Sequence, residues 1–172
     1  MRRLMLLRHA KSDWSGGRQD HERALSARGK RAAPLMGAYM AQQRLLPDRA
    51  LVSTAQRTRD TWNLVSGAWE QSPPMALEER VYGATASQLL DIIQHADDDA
   101  ESLLLIGHNP GFEELAQLLA QGGDTGAQCK LAEKFPTAAL AVIDFQIERW
   151  VDVAPQGGRL ERFVTPRELG GA

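Results

Sequence analysis

Short apolar runs of strand length alternate along this chain with segments of helical periodicity, and that alternation constrains the fold more than any other feature. RLMLL (3–7) reads as a strand buried on both faces, as in a parallel sheet covered by helices. RALVS (49–53) and SLLLI (102–106) repeat the pattern. Residues 26–43 read as a helix capped by Ser26, with Pro34 expected to bend it or move its effective start. Residues 56–69 put Thr58, Thr61, Trp62, Val65 and Trp69 on one helical face. Thr85 and Gln88 stand in capping-box spacing at the head of a helix over 85–96, and residues 111–121 are amphipathic. Toward the C-terminus AALAVIDFQ (138–146), RWVDV (149–153) and GRLERFVTP (158–166) read as strands, and 121–137 as a loop. The expectation is an α/β fold: a single domain over 1–172, in three layers α/β/α, with a mostly parallel central sheet and an antiparallel C-terminal extension.

A chain of 172 residues can bury a core without disulfides or a structural metal. Its 20 Lys and Arg against 22 Asp and Glu leave a net charge of -2, which argues against broad capture of nucleic acid or anionic lipid. Any basic function must be local. The single Cys129 excludes an internal disulfide, and no Cys/His pair has zinc-ligand spacing; it reads as a small buried or half-buried side chain. At the N-terminus the apolar stretch LMLL is four residues long and ends in charge, too short for a signal peptide or a membrane span, so a cytoplasmic location is expected.

That local basic function gathers at three strand ends. The first strand runs into Arg8 and His9, the second through Ser53 and Thr54 to Arg57, and the third into GHNPG with His108. Each is a β-to-α junction, where open α/β sheets bind ligands and helix N-termini favour anions. Unpaired, two arginines and two histidines would repel one another; an anion resolves the repulsion. Arginine suits phosphate because its planar fork donates two hydrogen bonds at once.

LLRHAKS (6–12), STAQRTRDT (53–61) and LIGHNPG (105–111) resemble, in order and spacing, the motifs of the histidine phosphatase superfamily. The short chain, Arg-His-Ala in place of the commoner Arg-His-Gly, and DHERALSARGKRAA (20–33) are similar to the small SixA-like branch, whose type activity is dephosphorylating phosphohistidine in proteins. The resemblance implies a phosphoglycerate mutase-like fold and a site built on His9 as nucleophile, with Arg8, Arg57 and His108 holding the phosphoryl oxygens. A neutral imidazole can attack phosphorus from one nitrogen if the other is held as N–H. Four basic groups would do the charge neutralisation that a metal does elsewhere, so no metal and no cofactor are expected. LEERVYG (77–83) places Glu79 where mutase-like relatives carry their acid, although it could equally be part of a solvated turn pairing with Arg80. Ser12 and Asn109 are candidates for secondary phosphate contacts; Asn109 could also be a turn residue, and Thr54 is a weaker candidate.

The expected partner is a phosphorylated protein carrying phosphohistidine, with phosphate in the pocket and neither nucleic acid nor membrane involved. The alternatives are a phosphomonoesterase or mutase acting on a small phosphoester, and a non-catalytic phosphate-binding module. The short span between the second strand and SLLLIGHNPG leaves little room for a lid, which favours an open pocket and a protein substrate. His21 reads as part of a solvated loop, His95 as a helix-end residue, and Asp97, Asp98 and Asp99 as a surface run.

Overall fold

The computed structural model describes residues 1–171. One sheet holds seven strands: β1 (Arg2–Arg8), β2 (Arg49–Val52), β3 (Met75–Leu77), β4 (Ser102–Gly107), β5 (Ala120–Gly123), β6 (Leu140–Phe145) and β7 (Gly158–Val164). Their order is β3-β2-β4-β1-β6-β7-β5. β1, β2, β3 and β4 run parallel; β6 is antiparallel to both β1 and β7, and β5 pairs parallel with β7. The helices are α1 (Ala27–Gln42), α2 (Gln56–Ser66), α3 (Ala86–Gln94), α4 (Gly111–Leu119) and α5 (Thr125–Glu133).

Strand alternation divides the core between the two faces of the sheet. Leu4 and Leu6 of β1 and Leu103 and Leu105 of β4 pack with Leu89, Ile93, Phe112 and Leu115 from α3 and α4. Met5, Leu7, Leu104 and Ile106 face the other way, onto Met36, Met40, Trp62 and Val65 of α1 and α2. This is the expected α/β/α layering, and it explains why the central strands read as unbroken apolar runs. α1 and α2 pack closely because Gly37 has no side chain: a Cβ there would lie 2.3 Å from the Val65 carbonyl oxygen.

Several boundaries depart from the sequence reading. Pro34 lies inside α1 without ending it, and the start stays at Ser26, whose Oγ accepts from the Gly29 N–H at 3.1 Å. α2 stops at Ser66 rather than Trp69, because Ala68 and Trp69 tighten into bonds to Val65 and Ser66. Trp69 still packs edge-on against Trp62, ring centroids 5.7 Å apart, and its indole N–H donates to the Gly37 carbonyl. The expected strand RWVDV is a single 3₁₀ turn at Trp150–Asp152. Trp150 is held there by its side chain and its amide, bonded to the Ala100 carbonyl and the Asp98 carboxylate, so the backbone hydrogen bonds close locally. The expected loop 121–137 contains most of β5 and all of α5, whose cap is Asp124 accepting from Ala127 N–H. Gly123 (φ +110°) allows β5 to lie against β7, since a Cβ there would sit 2.2 Å from the Leu160 carbonyl oxygen. β3, an exposed edge strand, was not foreseen either. Cys129 is exposed, not buried. Among the described residues no helix is long and apolar enough to cross a membrane.

Candidate active site

Sheet order brings the three basic junctions side by side, because β4 lies between β1 and β2. Arg8 pairs with Gly107 and Val52 with Ile106, so the residues that follow them emerge together at the C-terminal edge. His9 N–H donates to the Gly107 carbonyl and Ser53 N–H to the Ile106 carbonyl, both at 3.0 Å, which fixes the strand ends against each other. α2 and α4 begin at the same edge, so their positive dipole ends add to the local charge.

The resulting pocket encloses about 470 Å³ and is lined by Arg8, His9, Ser12, Arg57, His108 and Asn109, together with Lys11, Trp14, Asp20, Arg23, Tyr82, Gly83 and Thr137. Lys11, Trp14, Asp20 and Gly83 are exposed, so it opens to solvent. His9 is buried, and its Nδ1 lies 2.7 Å from the carbonyl oxygen of Ala10. A carbonyl can only accept, so Nδ1 carries the proton and Nε2 keeps its lone pair. Burial above all pushes the His9 ring down to about 3, against the opposing pull of the Ala10 carbonyl; His108 and the arginines push it further down. His108, with Nε2 2.8 Å from Ser53 Oγ, is likewise lowered to about 3 by burial and then by Arg57. Arg8 donates to the Phe135 carbonyl at 2.9 Å, and burial lowers its own affinity for the proton.

Arg57 is 5% exposed and reaches residue 20 twice: Nη1 donates to the Asp20 carbonyl at 2.6 Å and Nη2 to the Asp20 carboxylate at 3.1 Å. That carboxylate also accepts from Tyr82 Oη and from Arg23 Nη1, and these partners hold it well below the usual carboxylate range, Tyr82 contributing most. Arg23 further donates to Ser12 Oγ at 2.9 Å and stacks 3.5 Å over the ring of Trp14. Three buried nitrogens in this lining, Arg8 Nε, Arg57 Nε and His108 Nδ1, have no protein partner among the described residues.

Of the residues singled out from sequence, Arg8, His9, Arg57 and His108 come together in the pocket, as do Ser12 and Asn109. Ser12 holds Arg23, and Asn109 spans the Phe135 carbonyl and the Glu113 N–H. Glu79 stands exposed on the 3₁₀ turn Glu79–Val81 and is not part of the lining; its neighbour Glu78 is the one that pairs with Arg80. Asp20, Arg23, Tyr82 and Ser53 were missed as site residues. His21 is not on a solvated loop but half-buried, with Nε2 2.9 Å from Thr54 Oγ1 and its ring edge-on to Tyr82. His95 ends α3 and is exposed, as expected.

The chain is similar to known proteins in sequence and in fold. Residues 4–143 match the family model of the histidine phosphatase superfamily (branch 1). An uncharacterized protein of Mycobacterium tuberculosis is 36% identical over 163 residues, covering 94% of this chain and 100% of the relative. The structure of SixA from Nakamurella multipartitia superposes with a TM-score of 0.83 at 27% identity, over 96% of each chain. SixA from Agrobacterium tumefaciens gives 0.79 at 30% identity, over 96% of this chain and 98% of its own. The three-layer sandwich is thus the phosphoglycerate mutase-like fold. With the family model matched over a range that includes every residue of the pocket lining, the chain belongs to the histidine phosphatase superfamily, in its SixA-like branch.

Proposed function

We propose that this chain is a phosphatase that removes phosphate from phosphohistidine in another protein, in the cytoplasm, through a phosphorylated His9 and without a metal. The observation that carries the reading is the His9 ring: Nδ1 is tied to Ala10 and Nε2 is left as a neutral nucleophile in a pocket lined by Arg8, Arg57 and His108. Nε2 forms a bond to phosphorus as the bond to the leaving nitrogen breaks. Water then attacks phospho-His9, and phosphate departs with His9 restored.

Arg8, Arg57 and His108 stabilise the phosphoryl oxygens as charge builds on them. Buried donors left unpaired cost about 1–3 kcal/mol each, so the unpartnered Nε–H groups of Arg8 and Arg57 fit a site completed by an oxyanion. Ser12 and Asn109 complete the lining as secondary contacts. In this reading the basic side chains supply the charge neutralisation that a metal supplies elsewhere.

Phosphohistidine is favoured over an ester because the exposed Glu79 does not line the pocket, and a departing imidazole needs no strong enzyme acid. The open mouth admits a side chain standing on a partner's surface, and the neighbours named SixA are phosphohistidine phosphatases by name. The test measures phosphate release from a phosphohistidine-bearing protein domain beside p-nitrophenyl phosphate and 3-phosphoglycerate. The expected kcat/KM is far higher for phosphohistidine. A preference for 3-phosphoglycerate would replace this reading with a metabolite phosphatase.

A further inference from the structure

Asp20 is the only carboxylate among the described lining residues of a pocket that also holds Arg8, Lys11, Arg23 and Arg57. For a site that only had to grip phosphate this carboxylate would be a liability, since it repels any dianion placed beside Arg57. It is nevertheless built in from three elements. Arg23 Nη1 donates to Oδ1 at 2.6 Å, while Arg57 of α2 and Tyr82, from the turn before α3, both donate to Oδ2. Oδ1 has one protein donor, the side chain is 51% exposed, and a carboxylate oxygen accepts two hydrogen bonds. Room therefore remains for a donor on the substrate.

On the reading that the substrate is phosphohistidine, we propose that Asp20 accepts a hydrogen bond from the protonated ring of the departing imidazole and so selects a phosphoramidate over a phosphate ester. A phosphorylated imidazole leaves readily when its other ring nitrogen carries a proton. As His9 Nε2 bonds to phosphorus, the phosphorus–nitrogen bond breaks and its electron pair returns to the ring. That ring leaves as neutral imidazole, and no proton crosses from the enzyme. Asp20 favours binding of the substrate in its protonated, reactive form, so its gain falls on kcat/KM, and an ester with no such ring does not share it.

The protein already uses the same device on its own side. Ala10 carbonyl holds the proton on Nδ1 of His9, so phospho-His9 is also a protonated ring that water can displace as neutral imidazole. Asp20 would mirror Ala10 across the phosphoryl group. Arg23, Arg57 and Tyr82 keep Asp20 ionised, and His108, Arg8, His9 and Lys11 are the other titratable groups of the lining. A permanent anion of this kind is a poor proton donor to an alcohol and a good partner for an imidazolium.

Asp20→Asn keeps the side chain's size and one acceptor oxygen, and the backbone carbonyl that binds Arg57 Nη1 at 2.6 Å is untouched. The charge goes, and one acceptor becomes an amide donor, which gives up the contact from Arg23 or those from Arg57 and Tyr82. The experiment measures kcat and kcat/KM against pH for a phosphohistidine peptide and for p-nitrophenyl phosphate, in the unaltered protein and in Asp20→Asn, with Asp20→Ser as a second variant. The phosphohistidine-to-ester ratio should fall by about tenfold or more, the scale of one charge-assisted hydrogen bond. The alkaline limb of the kcat profile for phosphohistidine should move to lower pH, and the ester's should not. Equal losses on both substrates with unmoved limbs would assign Asp20 to holding Arg57 alone and overturn the proposal. An unaltered protein that turns over the ester and ignores phosphohistidine would instead overturn the functional reading, and this inference with it.

Discussion

His9 and His108 stand with ring centroids 5.3 Å apart, tilted by 52°, and burial first and the surrounding arginines after it push both down to about 3. Both rings are therefore neutral near pH 7, and His9 keeps the lone pair that a nucleophile needs. In the unfolded chain each takes up a proton near about pH 6.5, so in acid the unfolded state binds protons that the folded state refuses. Stability from this source is complete above about pH 6.5 and is lost as pH falls toward about 3. The urea midpoint should drop between about pH 7.5 and about pH 5, a window above the range in which Asp20 begins to titrate in the unfolded chain. In the double variant His9→Gln, His108→Asn the drop should shrink. An unchanged drop would mean that other groups carry the acid sensitivity.

Arg8 and Arg57 act from fixed positions, Arg8 through the Phe135 carbonyl and Arg57 through Asp20. Replacing either by Ala, or His108 by Ala, should lower kcat by about a hundredfold or more, the scale for one preorganised hydrogen-bond donor. Arg57→Lys should not restore the rate, because an ammonium cannot reproduce the planar fork. A loss confined to KM would show binding without transition-state stabilisation. EDTA should leave the rate unchanged, and reversible loss on chelation would show that these charges are not sufficient.

Glu79 lies exposed on a turn whose third residue, Val81, is buried, so the turn is anchored without it. Glu79→Gln should leave phosphohistidine turnover and ester hydrolysis alike within about twofold, because the side chain does not line the pocket where a leaving group would need its proton. Parallel kcat measurements on the two substrates check this. An equal and large loss on both would make Glu79 the general acid.

How much of the site the sequence revealed follows from how each residue is placed. Arg8, His9, Arg57 and His108 sit at strand ends or one helical turn beyond, so an alternating β and α pattern was enough to bring them to one edge of the sheet. Asp20, Arg23 and Trp14 belong to a segment that folds back over the pocket through pairings remote from any periodic signal. Ser12 bridges Leu25, and Asp13 N–H donates to the Ala24 carbonyl. Tyr82 reaches Asp20 across 62 positions of sequence. Hydrophobic periodicity carries no information about such contacts. The same limit hid β5 and α5, where two adjacent glycines and a short, weakly amphipathic helix read as a loop.

The central claim is that His9 Nε2 becomes covalently phosphorylated, and trapping that intermediate tests it most directly. Protein mixed with a radiolabelled phosphohistidine substrate, quenched in alkali and digested should carry its label on the peptide containing His9, stable in base and lost in acid. Label on a serine or aspartate peptide, or turnover by His9→Ala at the unaltered rate, would contradict the account.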